Sequence, residues 1–244
     1  MTTQQGRLAG KIIHVTGAGG RIGQALVEAI RREGAEVLSS DHLHHGVDLA
    51  LDVTVEAEWQ ATAQWIEQQH GAIDGLVNGA GIGRLGSIED LSFEDWRSTH
   101  AVNLDGVFLG CKYMMPLLRK RGGSIVNLSS IAGIVAAANF AAYNSSKAGV
   151  RHLSKSIALY GAKFKPPVRC NSVHPAFIES AMVDGMIAST DNPERARSKM
   201  ISDIPLGRFG ETKEVAGMCV YLLSDESSFV TGAEFVIDGG LSAR

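Results

Sequence analysis

The sequence predicts a doubly wound α/β domain built on one parallel sheet, and three observations carry that prediction. Short β-branched runs alternate with stretches whose apolar residues recur at helical spacing, the pattern of strands covered by helices. A glycine-rich turn, "TGAGGRIG" at 16–23, joins the first such run to the first helical stretch. The chain has 244 residues, 45% hydrophobic and 20% charged, enough for one substantial core and too few for two full domains.

The elements follow in order. "KIIHV" (11–15) is the first strand and leads directly into the glycine turn. Residues 21–33 carry Ile22, Leu26, Ala29 and Ile30 at helical spacing, with Arg31, Arg32 and Gly34 as stop signals. "AEVLSS" (35–40) is a second strand and "VDLAL" (47–51) a short third, with too few residues between them for a crossover helix of the usual size. Residues 55–69 are helical, and "IDGLVNGAG" (73–81) is a fourth strand entering another glycine-rich turn. "SFED" (92–95) resembles a capping box and opens a long helix toward Arg119–Arg121 and the stop at Gly122–Gly123. "SIVNLSS" (124–130) is a fifth strand, 142–162 a second long helix, and "VRCNSV" (168–173) a sixth strand. A loop-and-helix region at 176–211, a helix at 213–223 and a strand "EFVID" (234–238) close the chain. No internal repeat or linker interrupts it, so residues 1–244 read as one domain with 176–211 as a substrate lid.

Bulk properties narrow the function. A formal net charge of −3 gives no general affinity for nucleic acid or acidic membranes. No run of eighteen apolar residues occurs and the start "MTTQQGRLAGK" is polar, so neither a membrane span nor a signal peptide is expected, and the expected location is cytoplasmic. Cys111, Cys170 and Cys219 are too scattered for a disulfide framework or zinc site and read as core residues. "HLHH" (42–45) offers His42, His44 and His45, but no further ligands gather nearby, so no metal is expected. His174 reads as a packed strand-end residue.

The glycine turn follows a strand and opens a helix, where backbone N–H groups and the positive helix end hold a pyrophosphate. That makes the fold of Rossmann type. Gly17 supplies the tight turn and Gly23 a close helix-to-sheet contact. Read as T-G-x-x-x-G-x-G, the middle glycine is replaced by Arg21; read as G-x-x-G-x-x-G, Gly17, Gly20 and Gly23 all fit. Asp41 ends the second strand, eighteen residues past Gly23, where a carboxylate accepts from a ribose diol and repels a 2′-phosphate. It favours NAD over NADP. Arg21 is the counterweight, since a guanidinium there would suit a 2′-phosphate.

Tyr143 and Lys147, in "YNSSK", share one helix face. A free phenol titrates near ~10, and a nearby cation lowers that, letting Tyr143 exchange a proton with an alcohol. Ser130 ends the fifth strand, on the sheet edge where α/β sites are built, and a hydroxyl there orients the substrate oxygen. Asn103, in "AVNLDGVF", is an odd choice for a helix interior and fits a local distortion holding a water that relays protons from Lys147. Phe177, Met182, Met186 and Ile187 offer an apolar lining within the lid.

Over essentially its whole length the chain resembles a single-domain short-chain dehydrogenase/reductase. The resemblance rests on "TGAGGRIG", Asp41, "DVT" (52–54), "NGAG" (78–81), "AVNLDGVF", "SIVNLSSIAG", "YNSSK", "VRCNSVHPAFI" and "TGAEFVIDGG", in this order. It implies NAD(P)-linked interconversion of alcohols and ketones, with catalytic Asn103, Ser130, Tyr143 and Lys147. It implies adenine contacts from Asp52 and Val53, and ribose, pyrophosphate or nicotinamide contacts from Ile22, Asn78, Ala80, Tyr143, Lys147, Pro175, Ile178 and Ser180. It also implies a homotetramer built on the two long helices. Three positions depart from the family pattern: Arg21, Gly79 for the second asparagine of N-N-A-G, and Ala176 for the glycine after Pro175. All three lie at cofactor-facing loops, so altered binding with intact chemistry is expected.

The resulting expectation is an NAD-dependent oxidoreductase acting on a hydrophobic secondary alcohol, acyclic, aromatic, cyclic or steroid, and its ketone. Segments such as "AVNLDGVFLG" and "VRCNSVHPAFI" are similar to (R)-specific secondary-alcohol and bacterial hydroxysteroid dehydrogenases. The alternatives are an NADPH-linked 3-oxoacyl thioester reductase and a non-catalytic NAD sensor.

Overall fold

In the computed structural model, which describes residues 6–42 and 46–243, the apolar runs are strands bonded side by side in the parallel sense. Among the described residues these are β1 (Ile12–Thr16), β2 (Glu36–Asp41), β3 (Leu49–Ala50), β4 (Gly75–Asn78), β5 (Gly123–Leu128), β6 (Val168–Pro175) and β7 (Glu234–Ile237). Their order is β3-β2-β1-β4-β5-β6-β7. The chain therefore reverses its winding at β1, which pairs with β2 on one side and β4 on the other. That reversal opens a crevice at the carboxyl ends of β1 and β4, where α/β sheets bind ligands.

The helices are α1 (Arg21–Arg32), α2 (Glu56–His70), α3 (Phe93–His100), α4 (Gly106–Leu118), α5 (Ala141–Gly161), α6 (Ala181–Ala188), α7 (Pro193–Ser202) and α8 (Thr212–Leu223). Side chains alternate across each strand, so β1 sends Ile13 and Val15 into one core with Leu26, Ile30, Val215 and Cys219 of α1 and α8. The opposite face joins Leu76 and Ile125 to Trp59, Ile66, Val107, Met114 and Leu118 of α2 and α4. A third, small core lies apart, formed by Val183, Ile187, Ile204 and Phe209.

Most expected elements appear with ends shifted by one to three residues. Two differences have clear causes. The helix opened by Ser92, whose side chain accepts from the Asp95 amide, does not run unbroken: a π-turn over Ala101–Asp105 separates α3 from α4. β6 extends to Pro175 because His174 and Pro175 pair with Val236 and Ile237 of β7.

Candidate active site

The glycine turn is built by close approach. Gly17 has φ +69°, and a Cβ there would lie 2.6 Å from the Ala80 amide nitrogen. A Cβ on Gly23 would lie 2.1 Å from the Gly17 carbonyl oxygen, so α1 can start this close to β1 only without side chains. Gly20 is the N-cap of α1 and provides no side-chain cap, leaving the first-turn amides available to an anion. Asp41 stands over this turn: its Oδ2 accepts from the Gly19 amide at 2.9 Å. Ile22 packs against the α1–α8 core.

Arg21 turns toward the segment that follows β6. Its Nη1 pairs with Asp184 Oδ2 of α6 at 2.8 Å. The corresponding signal was absent from the sequence, since the partners are 163 residues apart. Of the "HLHH" run, His42 Nδ1 donates to Asp41 Oδ1 at 2.7 Å, and His44 and His45 lie outside the described residues. Among the described residues no group of three or more His, Cys, Asp or Glu is placed to hold a metal ion.

Ser130, Tyr143, Lys147 and Asn103 come together at the ends of β4 and β5. Ser130 Oγ accepts from the Ala132 amide at 3.1 Å, capping the turn Ile131–Gly133, and its one proton serves either the Pro175 carbonyl, 3.4 Å away, or the Tyr143 phenol. The Ser130 backbone is held in turn by buried His174, whose Nδ1 donates to the Ser130 carbonyl at 3.0 Å. That fixes the tautomer, so His174 Nε2 accepts from Ser172 Oγ at 2.8 Å. Lys147 is buried; Nζ donates to the Leu128 carbonyl at 2.8 Å and lies 5.7 Å from the Tyr143 ring centre. Burial pulls the Lys147 ammonium down to about 8.

Two influences act on the Tyr143 phenol in this arrangement. Burial raises the phenol, and the opposing influence is the hydrogen bond from Ser130. One ammonium proton goes to the Leu128 carbonyl, and the charge lies over the Tyr143 ring.

Asn103 occupies the π-turn, as its position in a helix interior suggested. Its Oδ1 accepts from the Ile82 amide at 2.8 Å, and its Nδ2 donates to the Ile82 carbonyl at 2.9 Å and to Ser146 Oγ at 3.1 Å. The wider turn suits this grip, and π-turns leave backbone carbonyls out of the regular ladder. A Cβ on Gly81 would lie 3.4 Å from both Asn103 Oδ1 and Lys147 Nζ, so the two head groups border one spot.

The other residues expected at the cofactor are held by contacts within the chain. The Asn78 side chain turns into the core, donating to Asn127 Oδ1 at 2.8 Å. A Cβ on Gly79 would meet the Thr16 carbonyl oxygen at 2.7 Å, so a side chain there needs the turn to shift. Val53 is buried against Gly106, and Asp52 Oδ1 accepts from the Thr54 amide at 2.9 Å in the turn before α2. Ile178 is buried and bridged to Gly210, while Ser180 caps α6 by accepting from the Val183 amide at 3.4 Å.

Ile187 belongs to the small third core, and Phe177 packs against it. Its ring meets that of Phe209 at a tilt, with centres 6.2 Å apart, and Phe209 is part of that core. Phe177 also borders a cavity of about 220 Å³ with Ile204, Leu206 and Val236, which none of the four clustered residues lines. Met182 does reach the crevice, its sulfur 3.3 Å from where a Cβ on Gly83 would sit; Met186 lies one turn further along α6. Cys111 and Cys219 are buried with thiols pushed up to about 12, so they are packing residues.

This sheet order, glycine turn and side-chain cluster define a Rossmann-fold oxidoreductase. A family model described as enoyl-(acyl carrier protein) reductase matches residues 17–242. An NADP-dependent (R)-specific alcohol dehydrogenase of Lentilactobacillus kefiri is 39% identical, over 98% of this chain and 99% of the relative. A 3-alpha-(or 20-beta)-hydroxysteroid dehydrogenase of Mycobacterium bovis is 39% identical over 98% and 92%. The ligand-free structure of Thermoplasma acidophilum aldohexose dehydrogenase superposes with TM-score 0.91 at 35% identity, over 99% of this chain and 97% of that one. The chain belongs to the short-chain dehydrogenase/reductase family, whose members use nicotinamide cofactors. Among the described residues no helix is long and apolar enough to cross a membrane.

Proposed function

We propose that the protein interconverts a hydrophobic secondary alcohol and its ketone, with NAD as the preferred dinucleotide. The observation that carries this reading is the convergence of Ser130, Tyr143 and Lys147 beside a crevice whose far lip is Asp41 on the Gly19 amide. The glycine turn and the α1 amides hold the pyrophosphate, Asp41 the adenosine ribose, and Lys147, with donors to spare beyond Leu128, the nicotinamide ribose. A bound nicotinamide supplies a hydride acceptor or donor. Tyr143 takes the alcohol proton at its phenolic oxygen, or returns it to the ketone, and Ser130 Oγ holds the substrate oxygen beside it. Asn103 holds the 81–83 segment against Lys147. Met182 and Met186 present apolar surface to the substrate, which favours a hydrophobic ketone.

Residues 1–244 act in this reading as one nucleotide-binding domain, with 176–211 as its lid. Tetramer formation through α4 and α5 is supported by the exposure of Phe108, Leu159 and Tyr160 on those helices, and light scattering of the purified protein checks it. The L. kefiri relative is NADP-dependent, and Asp41 is the reason to read this chain otherwise. The deciding experiment is the initial rate of NAD and NADP reduction across acyclic, aromatic, cyclic and steroid secondary alcohols, with Tyr143→Phe in parallel. Turnover only with small, highly charged substrates, or a strong preference for NADP, would overturn the reading.

A further inference from the structure

We propose that Arg21 and Asp184 form a latch between the glycine turn and the lid, which opens to admit the dinucleotide and, once re-formed, slows its release. The proposal rests on the dinucleotide reading of the crevice.

The lid is a separate packing unit. Val183 and Ile187 of α6 share a buried cluster with Ile204 and Phe209, and Phe177, Met200 and Ile201 pack on it, apart from both cores of the sheet. A segment with its own core can shift as a body without dismantling the sheet packing. It is anchored at its base. The Gly210 amide donates to the Phe177 carbonyl at 2.9 Å, the Glu179 amide donates to the Gly210 carbonyl at 2.9 Å, and Arg208 grips Glu214 of α8 with bonds of 2.9 and 2.7 Å.

Away from that base, α6 touches both lips of the crevice. Asp184, in its first turn, meets Arg21 at 2.8 Å, and Arg21 is the first residue of α1, next to the uncapped amides. Met182 covers Gly83, two residues from the spot bordered by Lys147 and Asn103. A dinucleotide spanning the crevice from Asp41 to Lys147 would pass beneath this strap, so entry and exit require α6 to lift. Met182 supplies non-directional contact; Arg21–Asp184 is the directional one. Arg21 thereby acts as a positioning residue for the lid, at a position where the family pattern has glycine.

Both partners are about half exposed, so the pair adds little to stability, and the expected effect is a kinetic one of about two- to tenfold. The test is release of NADH and NADPH from the holoprotein, followed by stopped-flow fluorescence on displacement. It compares the unaltered chain, Arg21→Gln, Asp184→Asn, and the exchange Arg21→Asp with Asp184→Arg. Amide exchange across 181–188 is measured on the same proteins without dinucleotide. Faster release and faster exchange in both single variants, recovered at least in part by the exchange, is the expected result, with high salt accelerating release only where the pair is present. Release rates equal to those of the unaltered chain, or an exchange variant no better than the singles, would overturn the latch. If the unaltered chain binds neither dinucleotide, the crevice reading itself falls and the latch with it, whatever the amide exchange shows.

Discussion

Asp41 and Gly19 are joined directly: the carboxylate at the end of β2 accepts from the amide in the middle of the glycine turn at 2.9 Å. The negative charge that is expected to choose between ribose and 2′-phosphorylated ribose is therefore tied to the same loop that is expected to hold the pyrophosphate. Replacing Asp41 by Ala removes the repulsion of a 2′-phosphate and the acceptor for a ribose diol together. The NADP-to-NAD ratio of kcat/KM should rise about tenfold or more, a change of ~1.4 kcal/mol per decade. Steady-state kinetics with both dinucleotides measures it, and an unchanged ratio would remove Asp41 as the discriminating group.

Tyr143→Phe deletes the oxygen proposed as the acid–base and keeps the ring that meets Phe140 edge-on at 6.1 Å. Turnover should fall about 10²–10⁴-fold, the usual contribution of a positioned proton-transfer group, with dinucleotide binding retained. Rates close to the unaltered protein's would mean that another group moves the proton.

Gly23→Ala tests the close approach of α1 to β1. The added Cβ has the Gly17 carbonyl oxygen at 2.1 Å and Ala18 Cα at 2.7 Å, both backbone, so the helix must shift away. A loss of about 1–3 kcal/mol is expected from overpacking, visible in denaturant unfolding, together with weakened dinucleotide binding. Gly185→Ala, where a Cβ meets nothing within 4 Å, serves as the control.

His14 gives a pH-dependent prediction. It is fully buried between Ser40 and Trp59, and burial lowers its pKa to about 4 from 6.5. Below pH 6.5 the unfolded chain takes up a proton that the folded chain refuses, so stability falls as pH drops from about 6.5 toward 4. The loss attributable to this one group is about 3 kcal/mol at its fullest. Unfolding free energies of the protein and of His14→Leu, measured from pH 7 to pH 4, should converge on acidification by roughly that amount. Parallel curves would place the acid sensitivity elsewhere.

Much of the site could be read locally. Gly17 and Gly23 announced a turn that only small residues allow, Asp41 a charge at a strand end, and Tyr143 and Lys147 one helix face. Asn103 even betrayed the π-turn, because an amide within a helix interior competes with the regular ladder. Other contacts were not legible locally because the partner lies far along the chain: Phe177 packs on Phe209, and Asn78 donates to Asn127.

By itself the sequence determined the parallel α/β class, the approximate strand and helix positions, the glycine turn and the identity of the clustered polar residues. These depend on residues within a few positions of one another, through periodicity, turn chemistry and helix spacing. Only the tertiary structure decided that Lys147 donates to the Leu128 carbonyl, that Val183, Ile187, Ile204 and Phe209 form a core of their own, and that Arg21 reaches Asp184. Each of those outcomes is a competition among distant partners for one hydrogen bond, charge or apolar surface, settled only when the strands and helices are brought together.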